Sequence, residues 1–292
     1  MRIGIVGLGR MGGNMRDRLR GAGHEVLGYE RKEGHRDVAS YEELVGALDP
    51  PRVAWSMVPA GAATEAVVGE LAGLLSEGDL IVDGANSHFR DSMRRAGELA
   101  DRGIAYVDAG VSGGVWGLEG GYGLMVGGPD DAVASISPLL DALATEGHWV
   151  HVGPSGSGHF TKMIHNGIEY GMMQAYAEGF EILHRSEDFP DIDLHAVAEA
   201  WRHGTVIRSW LLDLISAALE RDPELSELAA WVDDSGFGRG TVSQAIEEAV
   251  PAPAIAAALF ARFASRDDSS FAMRLVAALR REFGGHAVQP PD

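Results

Sequence analysis

The chain contains no cysteine in 292 residues. That removes disulfides, thiolate zinc sites and thiol catalysis, and it fits a reducing cytoplasm. It also lacks an apolar run of the roughly 18 residues that a membrane-spanning helix needs, so no membrane partner is expected. The N-terminal apolar segment is short, broken by glycines and followed by no small-residue cleavage site, so it does not read as a signal peptide. Cations are scarce: 24 Lys and Arg stand against 43 Asp and Glu, a formal net charge of −19. Such a balance argues against nucleic acid or an anionic membrane as partner. If the substrate is an anion, the few cations must be gathered locally against the overall field. Low-complexity tracts and internal repeats are absent as well.

In the first half, short β-type runs alternate with helical patterns. Arg2–Val6, Glu25–Tyr29, Val53–Met57, Leu80–Val82 and Ile104–Val107 read as strands. Helical periodicity lies between them near Met11–Gly21, Tyr41–Leu48, Thr64–Leu75 and Ser87–Arg102. A strand at Tyr122–Val126, a helix at Pro129–Leu143 and a strand around Trp149–Val152 extend the series. This alternation predicts an α/β domain with a doubly wound parallel sheet. From Ser155 to about Glu282 helical periodicity dominates, interrupted by the polar, glycine-rich loop Asp233–Gly240. The expected division is a nucleotide-binding domain over residues 1–157 and an all-α substrate and oligomerisation domain over 158–292. Polar glycine loops inside helical domains are frequently functional.

Gly7-Leu8-Gly9-Arg10-Met11-Gly12 follows the first strand directly and opens a helix. In that context G-x-G-x-x-G is the dinucleotide fingerprint of a Rossmann-type fold. The first glycine permits the tight turn, the second admits a pyrophosphate to the backbone, and the third allows close helix packing. The phosphates would sit on the helix N-terminus, where free N–H groups and the dipole favour an anion. The other reading is a plain strand–helix turn. Glu30 closes the second strand, where a ribose-binding acid is expected; it would repel a 2′-phosphate and favour NAD. Arg31 and Lys32 follow at once and could hold a 2′-phosphate, which keeps NADP as the alternative.

Lys162, His165, Asn166 and Glu169 fall at i, i+3, i+4 and i+7, one face of a helix. The positions between them, and Gly171, Met172 and Met173 beyond, are apolar or small. Such a helix is expected to be buried, with its polar stripe lining a cavity. Lys162 and Glu169 are separated by about 10 Å of axial rise, which leaves room for a small polar molecule between a base and an acid. The competing reading is a solvated face with an ordinary ion-pair pattern.

Three segments together resemble the 6-phosphogluconate dehydrogenase family: Asp83-Gly-Ala-Asn86-Ser87, Val111-Ser112-Gly113-Gly114, and the stripe with its Ile168-Glu169-Tyr170-Gly171. The resemblance runs from residue 1 to about 286. Related β-hydroxyacid dehydrogenases share the nucleotide fold and the lysine but not this Glu-Tyr extension. The resemblance implies oxidation at C3 of 6-phosphogluconate by hydride transfer, then loss of C1 as CO2 to give ribulose 5-phosphate. Lys162 matches the general base, which must be neutral when it acts, so burial or a nearby charge should lower its pKa. Glu169 matches the general acid. Asn86, Ser112, Gly113 and Gly114 match the carboxylate and hydroxyl contacts, with His165 and Asn166 beside them; for Asn86 and Ser112 loop capping is the alternative role.

Met57, Val58 and Pro59 match the segment lining the cofactor, and Pro59 replaces a lysine of longer NADP-using members, again pointing to NAD. Tyr170, Arg208, Arg239 and Thr241 resemble phosphate contacts, although the usual tryptophan is Gly240 here. Arg280 and the tail to His286 resemble a segment that enters the neighbouring subunit's site. The resemblance therefore implies a cytoplasmic homodimer or homotetramer with shared tails, NAD as cofactor with NADP as the alternative, and no metal. The chain departs from the longer members in having room for only one helical unit after the boundary. Two other functions stay open: a β-hydroxyacid dehydrogenase for another sugar acid or hydroxy acid, and a nucleotide-binding sensor without catalysis.

Overall fold

The computed structural model describes residues 1–32, 34–284, 287 and 289. Its strands are β1 (Arg2–Val6), β2 (Glu25–Tyr29), β3 (Val53–Ser56), β4 (Leu80–Asp83), β5 (Ala105–Ser112), β6 (Tyr122–Gly127) and β7 (Ala144–Gly153). Helices α1 (Arg10–Gly21), α2 (Tyr41–Gly46), α3 (Ala62–Leu74), α4 (Phe89–Ala100), α5 (Gly117–Gly120), α6 (Asp130–Ser135) and α7 (Ser137–Leu143) connect them. Then come α8 (Ser157–His184), α9 (Leu194–Gly204), α10 (Trp210–Arg221), α11 (Phe237–Glu247), α12 (Pro253–Ala264) and α13 (Phe271–Gly284). The chain divides into two compact units, Met1–His165 and Asn166–Asp292, and the division falls within α8. Among the described residues no helix is long and apolar enough to cross a membrane.

In the first unit the sheet runs β2-β1-β3-β4-β5-β6-β7, parallel throughout except for the antiparallel β5–β6 pair. Side chains alternate across a strand, so the neighbours Ala54/Trp55, Ile81/Val82 and Tyr106/Val107 are sent to opposite faces. Each pair is split between two separate cores, one holding Met15, Leu19 and Leu139, the other Leu44, Leu71 and Leu99. A sheet buried on both faces is what a doubly wound order requires. Strand order reverses between β1 and β3, and the crevice at such a switch point is where α/β sheets bind ligands.

Several expected boundaries moved. β5 continues to Ser112, well past the expected Val107, because its far edge pairs with β6 through Ser112↔Gly123. The expected helix over Pro129–Leu143 breaks at Ile136, with Pro138 in the first turn of α7. α11 begins at Phe237, so Arg239 and Gly240 are helical and not in the loop; Gly236, at φ 87°, turns the chain into that helix. The stripe helix is not buried all round: Ile168, Met172, Met173 and Ile182 are exposed. A helix of 28 residues is longer than the packing around it, and close approach is confined to positions such as Gly158 and Gly167.

In the second unit, Tyr170, Ala258 and Leu259 form one small core with Val242 and Phe263. Ala198, Leu212 and Leu219 form another with Phe180 and Trp201. α13 leaves Phe271, Met273, Leu275, Val276 and Leu279 exposed.

Candidate active site

The β1–α1 turn is shaped by backbone crowding. Gly7 has φ 91°, and a side-chain carbon there would meet the Met57 carbonyl oxygen at 2.9 Å; one at Gly12 would strike the Gly7 carbonyl. Gly9 caps α1 and faces open space, with nothing within 4 Å of the place a methyl group would occupy. Two glycines therefore let the protein fold here, and the third leaves the helix N-terminus open to an anion. A cavity of about 490 Å³ lies against this turn, lined also by Glu30, Arg31, Met57, Val58, Pro59 and Asn86. Arg10 and Met11 line it as well, whereas Leu8 turns away and packs on Gly28. The Glu30 carboxylate accepts from the Leu8 N–H at 3.0 Å and the Arg31 N–H at 2.8 Å, which fixes its place at the end of β2.

Asn86 lies on the turn after β4 with φ 53°, a conformation asparagine tolerates better than most residues. Its amide Nδ2 donates to the Val111 carbonyl at 3.1 Å, and its Oδ1 accepts from the Val111 N–H at 2.9 Å. β4 stops at Asp83, paired with Asp108, while β5 runs on to Ser112. The Asn86 side chain therefore takes the place of a missing strand residue. Ser112 precedes Gly113 (φ 127°) and Gly114 (φ 55°), and its Oγ lies 3.5 Å from His165 Nε2.

Lys162 is buried at the start of α8, with Nζ 3.2 Å from His165 Nδ1. It stands there because α8 comes very close to β5: a side-chain carbon at Gly110 would sit 2.6 Å from Lys162 Cβ and 2.9 Å from the Gly158 carbonyl oxygen. The Asp108 carboxylate receives the N–H groups of Gly156 at 2.5 Å and His159 at 2.7 Å, which anchors the first turn of the helix. Burial pushes the Asp108 carboxyl upward, countered by His159 and those two N–H groups. Of the chain's 24 Lys and Arg residues only two are lysines, Lys162 and Lys32.

In the second unit, Asn166 and Glu169 are half-buried on α8. The Tyr170 hydroxyl accepts from the Ser235 N–H at 3.1 Å, and the Arg262 guanidinium stacks 3.6 Å from its ring centre. Arg239 forms a two-point ion pair with Asp234, at 2.8 and 3.0 Å, and Arg266 joins the same carboxylate at 2.8 Å. Arg239 holds the Asp234 carboxyl far below the usual range, against the opposing effect of burial, and Arg266 adds to the shift. Thr241 is buried, donates to the Phe237 carbonyl at 3.0 Å and packs on Gly167, so it is part of helix packing. Arg208 is apart from this group, lining a cavity of about 360 Å³ with Tyr176 and Trp201. Arg280 is exposed on α13, and His286 lies outside the described residues.

Comparison with known proteins settles the lineage. Residues 2–153 match the NAD binding domain of 6-phosphogluconate dehydrogenase, and residues 158–282 match its C-terminal domain. The chain belongs to the 6-phosphogluconate dehydrogenase family. It is 44% identical to the NAD(+)-dependent, decarboxylating 6-phosphogluconate dehydrogenase of Haloferax volcanii, over 100% of both chains. It is 34% identical to the decarboxylating enzyme of Lactococcus lactis subsp. lactis, over 97% of this chain and 66% of that one. The solved structure of the Plasmodium falciparum 6-phosphogluconate dehydrogenase superposes with a TM-score of 0.83 at 26% identity, over 100% of this chain and 67% of that one.

Sequence reasoning missed Arg262 and Arg266. Both lie in or just after α12 and reach Tyr170, Asp233 and Asp234 only through the fold. The acidic pair Asp233-Asp234 was the available signal, since two adjacent carboxylates draw cations to them; the burial of Asp234, which makes that demand strong, is seen only in the fold.

Proposed function

We propose that the protein oxidises and decarboxylates 6-phosphogluconate to ribulose 5-phosphate and CO2, with NAD as the preferred acceptor. Lys162 carries this reading. The chain uses arginine almost everywhere, yet keeps a lysine at a buried position against a histidine. Arginine cannot lose its proton in a protein, whereas a lysine can be neutral and accept one. The retained lysine is thus the residue fitted to take the proton of a hydroxyl.

The turn at Gly7–Gly12 fits a dinucleotide, since Gly9 leaves its backbone open and Glu30 is held where ribose hydroxyls would meet it. When bound, the dinucleotide supplies the hydride acceptor. Lys162 removes the C3 hydroxyl proton as the ketone forms, and His165 keeps its Nζ oriented. Ser112 and the Gly113–Gly114 backbone orient the polyol and carboxylate. After CO2 leaves, Glu169 delivers a proton to C1. Arg239, Arg262 and Arg266 gather around Tyr170 and Asp234, the local concentration of cations that a phosphate sugar requires of so acidic a chain. The exposed apolar face of α13 supports a homo-oligomer whose tails complete the site, and the absence of cysteine fits a reducing cytoplasm.

The test is to follow NADH formation from 6-phosphogluconate while trapping CO2, with Lys162→Arg alongside. One CO2 per NADH is expected from the wild type. Lys162→Arg, which keeps the charge but cannot become neutral to accept a proton, should lose roughly 10²–10⁴-fold in kcat. NADH without CO2 would mean that 6-phosphogluconate is oxidised without loss of C1, and the decarboxylating assignment would fall.

A further inference from the structure

We propose that Asp83 is a positioning residue of this site: it fixes the turn that seats the Asn86 amide on Val111, and through it the end of β5 that bears Ser112. Asp83 is fully buried at the end of β4. Its Oδ1 accepts from the Ala85 N–H at 2.9 Å, and its Oδ2 accepts from the Ser87 hydroxyl at 2.9 Å. The carboxylate thus grips the residues on both sides of Asn86. The same Oδ2 accepts from the Tyr106 hydroxyl at 2.7 Å and from Arg95 at 3.2 Å. Arg95, itself buried, continues to Glu65 on α3 at 2.9 Å. A buried carboxylate is tolerated only when paired and hydrogen-bonded, and this one uses its pairing to tie β4, α4, β5 and the turn together. An asparagine at position 83 would keep the shape but lose the charge facing Arg95, and would set an N–H where acceptors are required.

The activity arm of the test rests on the proposed function; the exchange arm does not. Asp83→Asn, Asn86→Ala and the double variant are compared by amide exchange at Val111, by kcat with 6-phosphogluconate and by direct titration with NAD. Val111 N–H donates to Asn86, so it reports the clamp itself. Exchange there should speed by about 10-fold in each single variant. kcat should fall by about 10²-fold, the cost of a displacement on the order of 1 Å at a reacting centre. The double variant should lie within about 3-fold of Asn86→Ala, because residues acting as one unit are not additive. In Asp83→Asn, which leaves every residue lining the dinucleotide cavity in place, NAD affinity should stay within about 3-fold, since Gly9 and Glu30 are held by other contacts. Loss of fold alone would not give this split. Tyr106→Phe removes one donor and leaves the Arg95 pair, so it keeps the test readable if Asp83→Asn does not fold; a few-fold loss of Val111 protection is expected. Unchanged Val111 exchange in Asp83→Asn and Tyr106→Phe, or additive losses of kcat, would overturn the proposal. Absence of wild-type turnover with intact Val111 coupling would instead count against the substrate assignment.

Discussion

Gly110→Ala places one methyl group where β5 and α8 meet. The added carbon would lie 2.6 Å from Lys162 Cβ, 2.9 Å from the Gly158 carbonyl oxygen and 3.3 Å from Lys162 Cγ. Carbon atoms rest about 3.5–4.0 Å apart, so α8 must retreat by about 1 Å. It has little freedom to do so gently, because a carbon added at Gly158 would itself lie only 2.6 and 2.5 Å from the Asp108 and Met125 carbonyl oxygens. Overpacking of this kind costs about 1–3 kcal/mol. For a unit of this size that is a fall in Tm of roughly 2–12 °C. A displacement of about 1 Å of Lys162, the proposed base, costs on the order of 10² in rate, equivalent to about 2.7 kcal/mol in the barrier. The variant should therefore melt earlier and lose about 10²-fold in kcat, while NAD titrates as in the wild type because Gly9 and Glu30 are untouched. Thermal unfolding, NADH formation and cofactor titration read the three quantities separately. An unchanged Tm and kcat would refute the reasoning, since Lys162 would then not depend on the close approach at Gly110.

Gly9→Ala is the converse: its methyl meets nothing in the protein and its φ of −61° suits alanine, so Tm should hold while KM for NAD rises, as steady-state kinetics and melting would show. Glu30→Ala should narrow the ratio of kcat/KM for NAD over NADP; a wild type that prefers NADP would transfer the decisive role to Arg31 and Lys32. Asp234, whose carboxyl is depressed by Arg239, adds stability that is fully present above the ordinary carboxylate pKa of about 4 and fades as pH falls through and below it. Acid unfolding of Asp234→Asn should accordingly start from lower stability at pH 7 and show a shallower decline than the wild type.

Local features were legible without coordinates. The glycine fingerprint, the alternation of strand and helix, and the stripe Lys162, His165, Asn166 and Glu169 each lie within a few turns of chain, where spacing alone fixes which residues share a turn or a face. Burial of Lys162 was also foreseeable from its apolar neighbours, but the exposure of Ile168 and Met172 was not, because periodicity says which face is apolar and not what covers it. The cation cluster around Asp234 was only partly read. Arg239 lies beside its partner Asp234, while Arg266 reaches the same carboxylate from 32 residues away. Tertiary structure alone decided the rest. Asn86 clamps Val111 because β4 ends at Asp83 while β5 continues to Ser112, and a mismatch between two strand lengths is written in neither strand. The glycine at 110 has no meaning in its own segment; it acquires one when α8 crosses β5 closely enough to bring the Lys162 stem against it, a distance set by packing and not by sequence spacing.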